Sequence, residues 1–319
     1  MPSSIYLHDH EDFADLLRIV GDEMHILPGL VEKDYWIMHV LYGLKEQKYD
    51  FELKGGTSLS KGYGIIDRFS EDIDIHINPP HTFNINENPN NTKPANIAAR
   101  KAFYDWLTSD IQIPGIISQQ RDEIFDDTRY YRSGGIRLFY QQLAEKVESV
   151  KEGILLEAGF DDVTPNNKVT ISSWAYDKAI QNADINLIDN RAKDIVCYDQ
   201  GYTFVEKLQT IATKFRKEQS GESERPNFMR QYYDVYCLLG DSKVQAFIGT
   251  EAYQAHKKKR FPAVDYEIPI AKNESFLLNN STIKADFIKR YQETGALYYK
   301  GQPPFDALLE RISEYIERL

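Results

Sequence analysis

An α+β fold is predicted for this chain of 319 residues: a mixed β-sheet with N-terminal helices over residues 1–200, followed by a helical C-terminal domain over residues 201–319. Three observations predict it. Short segments of alternating apolar and polar residues gather before residue 172, apolar residues recur at helical spacing after residue 203, and no internal repeat is visible. Residues 10–47 read as two helices, the first with Phe13, Leu16, Leu17 and Val20 at helical spacing, the second over Val31–Leu44. Strand patterns follow at Phe51-Glu52-Leu53 and at Asp72–Ile77. The stretch 78–96 then holds seven Asn and four Pro, so it predicts a long loop with no packed element, either a lid or a tolerated insertion. A helix over Ile97–Leu107 precedes three further strands, around Ile136–Tyr140, Gly153–Ala158 and Lys168–Ile171.

After residue 200, Thr203-Phe204-Val205-Glu206 fits a capping box, which predicts a helix start there. Phe204, Leu208, Ile211 and Phe215 form the buried stripe, with Lys207, Thr210 and Lys214 on another face. A polar loop over residues 217–227, a helix over Phe228–Leu239 and a last helix over Phe305–Leu319 complete the pattern. In the last helix, Phe305, Leu308, Leu309, Ile312, Tyr315, Ile316 and Leu319 are expected on one face.

Composition bounds the function. Hydrophobic residues make up 42% of the chain, with 16 Phe, 21 Tyr and 3 Trp, which is enough for a substantial core. No apolar run is long enough to span a membrane, and Met1-Pro2-Ser3-Ser4 opens no leader pattern, so a cytoplasmic protein is expected. Cys197 and Cys237 have no metal-ligand spacing and read as core filling. The net charge of −11 argues against broad, non-specific nucleic-acid binding. It leaves room for a local basic groove, for which His256-Lys257-Lys258-Lys259-Arg260 is a candidate as well as a solvated helix end.

Chemistry concentrates in two places. A glycine turn, Gly55-Gly56-Thr57-Ser58, follows the first strand, and Asp72-Ile73-Asp74-Ile75-His76-Ile77 forms the second. Alternation puts Asp72, Asp74 and His76 on one face and the three isoleucines on the other. A lone Asp-x-Asp is commonly a solvated edge and a lone Gly-Gly a plain turn. In combination they suit a nucleoside triphosphate: carboxylates for a pair of Mg²⁺ ions, and backbone N–H groups and hydroxyls for phosphate oxygens. Glu157, between Leu155, Leu156 and Ala158, is the candidate third metal ligand or else an edge carboxylate facing water. Lys61 points either to phosphate or to solvent. The turn lacks the Lys-Ser/Thr ending of a P-loop, so a kinase-like or GTPase-like reading is unsupported.

The run Gly55-Gly56-Thr57-Ser58-Leu59 with Arg68-Phe69-Ser70-Glu71-Asp72-Ile73-Asp74 closely resembles the AbiEii/AbiGii nucleotidyltransferase toxin family of bacteria. Glu32-Lys33-Asp34-Tyr35-Trp36 resembles its N-terminal signature, Phe204-Val205-Glu206-Lys207-Leu208 its third motif, and Arg230-Gln231-Tyr232-Tyr233-Asp234-Val235-Tyr236 its fourth. The resemblance implies a DNA-polymerase-β-like nucleotidyltransferase core with a helical C-terminal domain completing the active site. It also implies the toxin role of a type IV toxin–antitoxin or phage-abortive system, a cognate antitoxin, and NMP transfer to an acceptor such as the tRNA 3′ end. On that resemblance Asp72 and Asp74 bind metal, Lys207 contacts the triphosphate, and Asp234 is the late catalytic acid. By themselves, Lys207 on a helix surface and the i, i+4 pair Arg230 and Asp234 would read as ordinary surface charges. Ser70, two residues before Asp72 and so expected on the same strand face, reads either as a strand-entry hydroxyl satisfying a local backbone group or as a site where a phosphate would compete with the triphosphate for Mg²⁺. A small-molecule nucleotidyltransferase, whose cationic substrate an acidic surface would suit, and a non-catalytic nucleotide- or partner-binding protein are the alternative readings.

Overall fold

The computed structural model describes residues 4–148, 150–181, 186–222 and 226–319. Met1–Ser3, on which the leaderless reading rests, and residues 223–225 of the predicted polar loop lie outside the described residues. Helices of six residues or more are numbered below. The chain divides into two compact units, one formed by the residues up to Gly62 with Ser70–Tyr198, the other by Tyr63–Phe69 with Asp199–Leu319.

In the first unit, α1 (Phe13–Met24) leads into α2 (Pro28–Glu46), whose Pro28 occupies the first turn, where its missing N–H costs nothing. Residues 30–41 of α2 are all buried, so this helix is wrapped on every side. It packs on α1, on α4 (Trp174–Ala179), and on strands β5 (Ile154–Gly159) and β7 (Ala192–Tyr198). The other strands are β1 (Phe51–Lys54), β2 (Asp72–Ile77), β3 (Ile116–Arg121), β4 (Ser133–Tyr140) and β6 (Asn166–Ile171). They form one mixed seven-stranded sheet in the order β3-β4-β5-β2-β1-β7-β6. β2 pairs with β5 and β1 with β7 in parallel, and the remaining pairs are antiparallel. The strands β5, β2 and β1 therefore sit at the centre, and Ile73, Ile75 and Ile77 are at most 1% exposed.

Two strands do not show in the sequence pattern. β3 is an edge strand of mostly polar residues, Ile-Ile-Ser-Gln-Gln-Arg, with only one face to cover. β7 is interrupted by Asp194 at φ +52°, which breaks the alternation beside the register shift of β6 against β7.

The Asn/Pro-rich stretch is more ordered than its composition predicts. It holds one short 3₁₀ turn, His81–Phe83, and ends at Pro94, where α3 (Pro94–Asp110) starts three residues ahead of the expected helix. Arg100, fully buried on α3, donates to the carbonyls of Asn86, Asn88, Asn91 and Tyr130. The side chains of Asn86, Asn88 and Asn91 each accept a backbone N–H two residues on, the Asx turn that Asn favours. This guanidinium and the Asn96 amide, which exchanges hydrogen bonds with the backbone of Asn86, together organise the segment, which composition could not reveal.

The second unit is helical: α5 (Gln200–Gln219), α6 (Arg230–Leu238), α7 (Ser242–Phe247), α8 (Glu251–Arg260), α9 (Ser281–Gln292) and α10 (Phe305–Tyr315). Thr203 is not the helix cap. α5 starts a turn earlier, where the Asp199 carboxylate accepts from the N–H groups of Gly201 and Tyr202, and the Thr203 hydroxyl donates to the Asp199 carbonyl. An ionised acceptor at a helix start outcompetes a hydroxyl. The expected stripe of Phe204, Leu208, Ile211 and Phe215 is buried, and α5 continues through Gln219 into the predicted polar loop. α10 stops at Tyr315 and tightens into the 3₁₀ turn Ile316–Arg318. Phe305, Leu308, Leu309, Ile312 and Leu319 are buried, whereas Tyr315 and Ile316 are only partly covered. Residues 67–69 lie along 297–299, with Phe69 N–H on the Leu297 carbonyl and Tyr299 N–H on that of Asp67.

Replacing Arg100 with Met is expected to leave four carbonyls without their shared donor and to destabilise the first unit by about 2–4 kcal/mol. Limited proteolysis after Glu87 measures it. Wild-type protein should resist and the variant should be cut, and equal cutting rates would show that the loop holds itself together.

Candidate active site

Strand β2 presents Asp72, Asp74 and His76 opposite its isoleucines. β5 runs parallel beside it with Asp72 level with Leu155 and Asp74 level with Glu157. In-register residues on neighbouring strands share a face, so Asp72, Asp74 and Glu157 occupy one patch at the sheet centre. On the other side β1 sets Lys54 opposite Asp74, and the Lys54 ammonium pairs with Asp161 at 2.6 Å.

Three carboxylates share a partly dry patch. Burial, then Asp74 and Asp72, pushes the Glu157 carboxyl up to about 8. Asp72 is raised by burial and by adjacent Glu71, against a lowering by Lys151. Asp72 Oδ1 is buried without a hydrogen-bond partner, and Oδ2 lies 2.8 Å from the Lys151 ammonium. As the side chains stand, no three acidic, histidine or cysteine groups among the described residues converge on one metal position. The donor chemistry nevertheless fits a hard divalent cation: all three groups are carboxylates, one oxygen is orphaned, and the cluster carries excess negative charge.

The glycine turn lies against this patch. Gly55 has φ +72°, and a Cβ there would collide with the Asp74 carboxylate, so the close approach of turn to strand requires glycine. No side chain caps the turn that begins at Gly55. The hydroxyls expected to serve phosphate are spent internally: Thr57 donates to the Asp72 carbonyl and Ser58 to the Gly55 carbonyl at 2.9 Å, and both residues are buried with Gly56. Lys61 is engaged by groups of the protein. Its ammonium lies 2.7 Å from Asp34 and 5.1 Å from the Trp174 ring centroid. Ser70 precedes β2, so strand alternation assigns it no face.

Three consecutive buried charges of α2 frame the patch. The Glu32 carboxylate accepts from the N–H groups of Leu143 and Ala144. Lys33 pairs with Glu71 at 3.3 Å and donates to the Lys151 carbonyl, while Asp34 accepts from Trp174 N–H. Burial raises Glu32 and Asp34 and lowers Lys33, so each ion depends on its partners.

The late motif residues meet in the second unit. Asp234 is fully buried, and its two oxygens take Nε and Nη2 of Arg68 at 2.7 Å each, with the Lys207 ammonium at 2.9 Å. Burial alone would raise this carboxyl, but Arg68 and Lys207 hold it down at about 2. One buried carboxylate thus holds both Arg68 and Lys207. Its partners are Arg68 and Lys207 instead of Arg230 on its own helix. The basic run on α8 is also engaged: His256 and Arg260 face Glu206, and Lys257 donates to the Leu319 carbonyl. Burial pushes the thiols of Cys197 and Cys237 up to about 12, as core-filling cysteines require.

The sequence matches the family model of the nucleotidyl transferase AbiEii toxin of type IV toxin–antitoxin systems over residues 39–311. The chain belongs to this family. It is thus an AbiEii nucleotidyltransferase toxin, with an antitoxin as the partner such a system implies. No curated protein matches it significantly. The matched span holds the glycine turn, the Asp72–Asp74 strand, Glu157, Lys207 and Asp234, whereas Glu32–Trp36 lies ahead of it. No helix among the described residues is long and apolar enough to cross a membrane. Sequence reading missed Lys151, which stands in a polar stretch between strands with no motif around it, and the part played by Arg68, whose signal was only its place in the Arg68–Asp74 run.

Two outcomes follow from the charges. Glu157 has an ordinary carboxyl value of 4.5 when unfolded and about 8 when folded. Between these values the folded state keeps a proton that the unfolded state has lost, so wild-type stability falls as pH rises through that window. Glu157→Gln should abolish the fall, matching wild type near pH 4.5 and melting higher by roughly 2–4 °C or more at pH 8 without divalent cations. Parallel melting curves for the two proteins across pH would refute the shift. Asp234→Asn removes the charge that compensates two buried cations and should cost about 3–5 kcal/mol in urea denaturation, against under about 1 for a surface pair.

Proposed function

We propose that this AbiEii-family toxin moves an NMP from a nucleoside triphosphate to an acceptor hydroxyl, with the tRNA 3′ end as the acceptor and Mg²⁺ as the cofactor. The observation that carries the reading is the register of β2 against β5, which puts Asp72, Asp74 and Glu157 on one face beside an uncapped glycine turn. Asp72 and Asp74 would hold the cations and Glu157 would complete the set. When bound, the divalent cations neutralise charge on the phosphates and lower the barrier to an oxygen nucleophile. The backbone N–H groups of Gly55 and Gly56 would face triphosphate oxygens. Lys207, held by Asp234, remains the proposed triphosphate contact, and Arg68 shares that carboxylate. The reaction belongs in the cytoplasm, where both substrates are found.

The net charge of −11 favours a second acceptor class, a cationic small molecule. One assay separates the two: purified protein, each α-labelled NTP, Mg²⁺, and either total tRNA or a panel of aminoglycosides. Label in tRNA supports the proposal, and label only in a small molecule selects the alternative. No labelling of any acceptor by any nucleotide would leave a non-catalytic, nucleotide-binding role.

In the same assay, Asp72→Asn and Asp74→Asn should each lower turnover by about 10²-fold or more while circular dichroism stays unchanged, since the loss is local charge rather than packing. Near-wild-type turnover of either variant at saturating Mg²⁺ would remove that residue from the cation site.

A further inference from the structure

Lys151 belongs to no motif and to no strand, yet its ammonium lies on the carboxylate proposed above to hold metal. It follows β4 in the segment leading to β5, and its backbone is held at both polar groups. Its N–H donates to Glu71 Oε2 at 2.8 Å, and its carbonyl accepts from the Lys33 ammonium. Both holding side chains are buried, at 9% and 3% exposure. The backbone is thereby fixed, and the side chain is delivered to Asp72 Oδ2 at 2.8 Å with its ammonium 4.6 Å from the Phe125 ring centroid. The Lys151 side chain itself is 33% exposed on a four-carbon stem, so it can leave without unfolding anything.

We propose that Lys151 is a resident counter-ion of Asp72 that competes with the divalent cation and sets the cation concentration at which the site loads. The inference rests on the reading of Asp72 as a metal ligand. An ammonium on Oδ2 at 2.8 Å and a dication at roughly 2.0–2.1 Å from the orphaned Oδ1 of the same carboxylate repel each other. Loading therefore displaces the ammonium or weakens its hold on Oδ2, and what that pair loses is subtracted from cation affinity. Without the cation, Lys151 offsets part of the repulsion among Asp72, Asp74 and Glu157, which explains how an acidic patch at the sheet centre persists.

The test is Mn²⁺ binding to the full-length protein, followed by the electron paramagnetic resonance signal of the unbound ion, without nucleotide. Lys151→Met should bind Mn²⁺ about fivefold more tightly than wild type, and Lys151→Arg, which keeps the charge, should stay within about twofold. Lys54→Met removes a nearby charge that pairs with Asp161 instead, so it measures the general field. Equal affinity in wild type and Lys151→Met, or equal tightening by Lys54→Met, overturns the competition. Asp72→Asn tests the reading beneath it: if that variant binds Mn²⁺ as wild type does, or if neither wild type nor Lys151→Met binds the ion, both the metal assignment and the competition fall. Should Lys151→Met fail to fold, wild-type ¹⁵N-lysine NMR decides. The slowly exchanging ammonium signal absent from Lys151→Arg should disappear on titration with Mg²⁺, and a signal that persists unchanged refutes the proposal.

Discussion

The local structure of the first unit depends on three adjacent charges buried in α2. Glu32, Lys33 and Asp34 point about 100° apart around the helix axis, and each ties down a different piece of chain. Glu32 holds the backbone at 143–144, Lys33 the approach to β2 through Glu71 and the segment at Lys151, and Asp34 the start of α4 and the ammonium of Lys61. A buried ion without its partner costs about 3–5 kcal/mol, so these segments cannot drift independently of the helix. The largely apolar burial of the rest of residues 30–41 fixes α2, and α2 in turn fixes the surroundings of the carboxylate patch.

Two carboxylates in this protein show how partners decide what a side chain can do. Burial, with carboxylates as neighbours, pushes Glu157 to about 8. Asp234 has two cations and is held at about 2, although it is the more deeply buried. The first arrangement leaves like charges facing one another at a partly dry site, at a cost in stability. The second is satisfied by its two cations, Arg68 and Lys207.

Much of this was legible along the chain. The helices α1, α2 and α5, strands β1 and β2, and the carboxylates of β2 follow from periodicity, which is local. What escaped was non-local. β3 and β7 have weak patterns because an edge position and a bulge relax the requirement for alternation. The cap of α5 went to Asp199 because an ionised acceptor outbids Thr203. The 78–96 stretch gained its order from Arg100, which lies beyond it in the helix that follows.

By itself, the sequence determined which residue types could do chemistry and which face of β2 they occupy, because alternation and the conformational freedom of Gly55 are properties of consecutive residues. It also carried the family, since four motifs in order are a linear pattern. Only the tertiary structure decided the partners. The register of β2 on β5 brought Glu157 level with Asp74, and the clamp of Lys33 and Glu71 brought Lys151 onto Asp72. Packing in the second unit brought Arg68 and Lys207 onto buried Asp234. The physical reason is that a side chain's charge state and accessibility depend on what lies within a few ångströms in space, and chain spacing constrains that only for near neighbours.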